Sequence, residues 1–94
     1  MAYANYNVYS NITGQTTTVL KAGSGILNTI TFNTPVATET VTIFDNTAGS
    51  GTKIGTITVP ASPMPVTLTY NVRFNTGLTI VTATASSDIT VSFA

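Results

Sequence analysis

Residues 66–74 read Val66-Thr67-Leu68-Thr69-Tyr70-Asn71-Val72-Arg73-Phe74, and this stretch decides the fold class. Val66, Leu68, Tyr70, Val72 and Phe74 fall on one side of an extended chain. Thr67, Thr69, Asn71 and Arg73 fall on the other. A period of two gives one dry and one wet face, the pattern of an antiparallel sheet with one side on a core. Tyr70 belongs to the dry register and is expected in the core.

Similar runs lie on both sides. Downstream, Asn75-Thr76-Gly77 ends the stretch, residues 78–82 form a sixth run, and residues 88–93 put Ile89, Val91 and Phe93 inward against Thr90 and Ser92. Upstream, Pro60, Pro63 and Pro65 exclude a regular central strand across that segment. Before them lie residues 53–59 and 39–44, the latter alternating Val41 and Ile43 with Thr40 and Thr42. The stretch Asp45-Asn46-Thr47-Ala48-Gly49-Ser50-Gly51 between these runs is turn chemistry. Asp and Asn side chains bond nearby backbone, and glycine accepts positive φ. It predicts a hairpin linking 39–44 to 53–59.

Further back, residues 26–32 place Ile26, Ile30 and Phe32 on one side and Leu27, Thr29 and Thr31 on the other. Residues 16–21 form the first run. Ile30, Ile43, Leu68, Val72, Ile80, Ile89 and Val91 are the expected core.

Composition agrees. Thr fills twenty-one of the 94 positions, and β-branched residues suit a pleated surface better than a helix. No helical apolar stripe is present, so parallel βαβ architecture is excluded. The expected fold is all-β: an antiparallel two-sheet sandwich, jelly-roll-like, of six to eight short strands. A small closed barrel is the alternative. Residues 16–94 read as one domain. Residues 1–15, with Tyr3, Tyr6 and Tyr9 at every third place, read as an N-terminal arm or an edge strand. These three tyrosines are the candidate interface, because Tyr brings contact area and a hydroxyl that tolerates water.

Charge narrows the function. Lys21, Lys53 and Arg73 stand against Glu39, Asp45 and Asp88, for a formal net charge of +0. Three scattered cations cannot neutralise a run of phosphates, so no nucleic-acid partner is expected. No apolar run is long enough for a membrane-spanning helix. The opening residues lack the basic and apolar regions of a secretion signal. Histidine and cysteine are absent, which removes Ser–His–acid and Cys–His catalysis and the usual zinc sites. The three acids occupy loops or strand starts and read as structural caps rather than a glycosidase pair.

The 45–51 stretch lacks the ligand spacing of a calcium loop, and Ala22-Gly23-Ser24-Gly25 lacks the lysine of a phosphate loop. No cofactor, metal site or enzymatic activity is expected. Tyr on a Thr- and Asn-rich sheet also suits a carbohydrate-binding or adhesion module.

Three segments carry a likeness. They are Lys21-Ala22-Gly23-Ser24-Gly25-Ile26-Leu27, the stretch from Val41 through Asp45-Asn46-Thr47-Ala48-Gly49-Ser50-Gly51 to Ile54, and Phe74-Asn75-Thr76-Gly77-Leu78-Thr79-Ile80 with Asp88-Ile89-Thr90-Val91-Ser92. The chain from Lys21 to Phe93 resembles small β-sandwich head decoration, or cement, proteins of tailed bacteriophages. The resemblance implies a virion structural protein on the outer capsid surface, bridging neighbouring major capsid subunits as a homo-oligomer, often a trimer. Similar modules occur in phage tails and fibres. Residues 1–15 fall outside the likeness.

Overall fold

The computed structural model describes residues 7–94. Eight strands follow in chain order: β1 (Val8–Thr13), β2 (Thr16–Ala22), β3 (Gly25–Thr34), β4 (Thr40–Phe44), β5 (Lys53–Thr58), β6 (Val66–Phe74), β7 (Gly77–Thr82) and β8 (Asp88–Phe93). They form two four-stranded antiparallel sheets, ordered β1-β8-β3-β6 and β2-β7-β4-β5. The pairing has one rule. The first strand pairs with the last, the second with the seventh, the third with the sixth and the fourth with the fifth. The chain is one long hairpin folded over on itself, the jelly-roll arrangement. Its tip is the Asp45–Gly51 turn between β4 and β5, the hairpin that the sequence predicts.

The core lies between the sheets. Ile30, Phe32 and Leu27 from β3, Val41 and Ile43 from β4, Leu78 and Ile80 from β7, and Ile89 and Val91 from β8 are all buried. Five of the seven expected core residues are among them. Leu68 and Val72 face the core but are only partly buried. The reason is the position of β6, which ends its sheet and has a neighbour on one side only. Inward direction follows from alternation; full burial requires flanking strands.

The alternation expected for residues 26–32 is broken, which corrects the reading of Ile26 and Leu27. Leu27 is fully buried and Ile26 is 46% exposed. Along β3, Leu27 faces Phe93 and Thr29 faces Ser92, so β3 spends one more residue than β8 over this step. Such a bulge shifts the phase of side chains by one. Leu27 and Ile30 therefore both point inward, three positions apart. The edge strand follows, because β6 spends one residue more than β3 between Val72 and Thr69. Asn71, at φ +51, lies in that extra step; short amides tolerate this conformation better than branched side chains.

β7 is covered on both sides at Thr79. Thr79 points away from the core yet is fully buried, because its hydroxyl donates to the Asn46 carbonyl at 2.7 Å. The tip folds back over β7 and β2. A side chain on Gly49 would meet Thr17 and Val81 methyls at 3.0 Å, so the loop lies close enough that a larger residue would push those side chains aside.

Candidate interface

Tyr9 is the one candidate tyrosine within the described residues; Tyr3 and Tyr6 lie outside them. It sits on β1, which forms an edge of the β1-β8-β3-β6 sheet. Val8–Thr13 is thus a strand of the sandwich, with Ile12 in the core. Tyr9 alternates with Ile12's side of the strand, so its ring stands on the outer face at 76% exposure. Tyr70, in contrast, faces inward against the core, and its hydroxyl lies over Gly55 of β5.

The outer face around Tyr9 is built from hydroxyls and amides. Two residues along β1, the Asn11 amide donates to Asp88 Oδ1 at 2.8 Å. From the other side of β8, the Asn33 amide donates to the same oxygen at 3.1 Å and to Thr90 Oγ1 at 2.9 Å. Thr31 and Thr67 share a hydrogen bond at 2.9 Å. Near the start of β1, the amide of the bulged Asn28 donates to Asn7 Oδ1 at 2.7 Å, tying Asn7 to β3. These contacts immobilise polar groups that would otherwise lose side-chain freedom on meeting a partner.

Glu39 is 3% exposed and acts as a buried tie. Its carboxylate accepts the Ser87 hydroxyl at 2.8 Å, the Thr84 hydroxyl at 3.4 Å and the Val36 N–H at 3.2 Å. Asp45 accepts N–H groups of the β6–β7 turn. Asp88 accepts the two amides named above. Each acid is thus engaged by partners of its own: Glu39 ties two loops, Asp45 two turns, and Asp88 the strands β1 and β3 on either side of β8. Among the described residues, no group of three or more acids, histidines or cysteines stands close enough to hold a metal ion.

A second surface lies at the opposite edge. β5 and β6 end their respective sheets on the same side, and the proline-bearing link between them leaves an apolar groove of about 460 Å³. Phe32, Ile57, Val59 and Leu68 line it, with Pro35, Pro60, Pro63, Met64 and Val66 around the rim. Met64 and Val66 are 75% and 48% exposed. Sequence reading missed this groove. The prolines mark a break in the strands, but they do not reveal that the break uncovers the core between two edge strands. No family model, curated protein or solved structure matches the chain.

Proposed function

We propose that this chain is a non-enzymatic structural protein of a phage virion. In this reading it is a decoration, or cement, protein that binds the outer surface of the head and stabilises contacts between major capsid subunits. Its N-terminal zone docks it to a neighbour. The observation that carries the reading is Tyr9, an exposed aromatic on a fixed hydroxyl and amide face. The likeness of residues 21–93 to decoration proteins supplies the particle. A face with so little charge approaches a partner without burying unpaired ions. Repetition over a particle multiplies modest affinities.

The test is addition of the purified chain to heads stripped of decoration, followed by electron cryomicroscopy. Stoichiometric density on the outer head surface is the expected result. No density overturns the proposal; density on the tail moves the chain to the tail or fibre placement. A second reading, a carbohydrate-binding or adhesion module, is favoured by Tyr9 standing beside Asn11, Asp88 and Thr90. Retention of the chain by a panel of immobilised neutral glycans, lost in Tyr9→Ala, would support it.

A further inference from the structure

We propose that the outer edge of β1 pairs, antiparallel and about a two-fold axis, with β1 of a second copy of this chain. The two sandwiches then share one continuous sheet.

The fold has four edge strands, β1 and β6 in one sheet and β2 and β5 in the other. An edge strand offers unpaired N–H and C=O groups to other chains, and charges and bulges are common means of blocking it. Three of the four edges carry both. β2 has Lys21 and an extra residue, Leu20, between Val19 and Lys21. β5 has Lys53 and an extra residue, Ile54, between Lys53 and Gly55. β6 has Arg73 and the extra step that holds Asn71. The chain has three cations, and each stands on a different one of these edges. β1 has neither device. Val8–Thr13 holds no charge, proline or glycine, and it pairs with β8 in unbroken register.

The free groups on that edge can be named. The Gly14 N–H donates to the Ser87 carbonyl at the end of the β1–β8 ladder, and Ile26 and Ala94 exchange bonds on the far side of β8. Both fix the same phase. Antiparallel bonding alternates along a strand, so Val8, Ser10 and Ile12 bond to β8, while Tyr9, Asn11 and Thr13 turn their backbone groups outward. Among the described residues no strand pairs with them.

Charge and register select a second copy as the occupant. Pairing β2, β5 or β6 with itself would bring two like cations into one contact, with no acid on the strand to balance them. β1 meets its own copy without that conflict. With Ser10 opposite Ser10, residues of the same face meet across the axis. Val8 lies opposite Ile12 of the second copy, and Tyr9 exchanges both backbone bonds with Asn11 of the second copy. Val8 shares the inward side of Ile12 yet is 53% exposed, since no described strand lies beyond β1. This register gives it an apolar neighbour, whereas centring on Asn11 would leave it outside the ladder. Both Tyr9 rings then stand on one outer face. The contact closes at two copies, where the resemblance implies a trimer.

The experiment uses the full chain and point variants of it. Light scattering after size exclusion should give the wild type twice the mass of one chain. Tyr9→Lys puts on β1 the charge that the other edges carry; it should stay folded by circular dichroism and run as a monomer. Val8→Lys is the second edge variant. Ser10→Cys introduces a thiol into a chain that has none. Across the axis the two Cα atoms of residue 10 stand about 4.5 Å apart, within disulfide range, so mild oxidation should give a covalent dimer. Thr13→Cys, whose copies stand about 20 Å apart in this register, should stay single. Amide exchange should be slow at residues 9 and 11 in the wild type and fast in Tyr9→Lys, with residues 10 and 12 slow in both. A monomeric wild type, a dimer that survives both lysine variants, cross-linking at residue 13 equal to that at residue 10, or fast exchange at residues 9 and 11 within the dimer would each overturn the proposal. Phage heads enter none of these measurements, so failure of the capsid reading leaves the dimer standing, and a monomer leaves the capsid reading standing.

Discussion

The Asp45 carboxylate accepts the backbone N–H of Thr76 at 2.7 Å, joining the tip of the folded hairpin to the β6–β7 turn. The same carboxylate accepts the N–H of Asn75 at 3.0 Å and that of Gly77 at 3.3 Å. Gly77 has no room for a side chain, because an added Cβ would stand 2.9 Å from the carbonyl oxygens of Asn46 and Lys21. Two turns thirty residues apart in the chain thus close on one another through a single acid.

Asp45 should make stability depend on pH. The N–H groups of Thr76 and Asn75 hold its carboxyl below the ordinary value of 3.8; desolvation opposes them, and the Gly77 N–H adds a smaller lowering. A folded-state pKa below the unfolded one stabilises the fold above the unfolded value. That stability is lost as pH falls through the folded value. Asp45→Asn should therefore lower the urea midpoint at neutral pH. The gap from wild type should shrink as pH drops below about 3.8. A gap that stays constant down the acid limb would contradict the role given to this carboxylate.

Adjacent residues 26 and 27 should respond in opposite ways to truncation. Leu27→Ala removes a fully buried side chain and should destabilise by about 2–5 kcal/mol. Ile26→Ala, on the outer face, should stay within about 0.5 kcal/mol. Leu68→Ala, on an edge strand, should fall below Leu27→Ala. Urea unfolding of the three variants reads the bulge directly; the reverse order for Ile26 and Leu27 would restore unbroken alternation.

Glu39→Ala should destabilise by about 1.5–3 kcal/mol, because Ser87 and Val36 lose a charged acceptor inside the fold. Glu39→Gln keeps one carbonyl acceptor and should lose less. Hydrogen exchange should show the loss first in the loops on either side, 34–39 and 83–87, since the carboxylate ties one to the other. Equal effects from the two substitutions would mean that charge is irrelevant there.

Tyr9→Ala should leave folding stability within about 0.5 kcal/mol, since the ring is largely in solvent. Removal of residues 1–6 should also leave a folded domain, because β1 and its buried Ile12 remain. Both changes should weaken attachment to phage heads in cosedimentation. Unfolding of the shortened chain would place those residues within the domain's own structure, and unchanged attachment would end the docking role.

The sequence by itself determined the strand class and the turns. Residues 39–44 and 53–59 alternate around Asp45–Gly51, and this local chemistry is enough to specify a hairpin. The even positions from Leu68 to Phe74 point inward as their period requires, because the pleat fixes direction residue by residue. Tyr9 was legible only as a candidate interface residue on an arm or edge strand; its place on the outer face of β1 came from the fold.

What only the tertiary structure decided depends on neighbours remote in the chain. The bulge at Asn28 exists relative to β8, some sixty residues away, so no window around Ile26 and Leu27 reveals which one is buried. The partial burial of Leu68 and Val72 follows from β6 having no strand on its far side. Thr79 is buried because the hairpin tip folds over it, and the groove beside Met64 exists because β5 and β6 end their sheets on the same side. Alternation sets the face a side chain takes; pairing order sets whether anything covers that face.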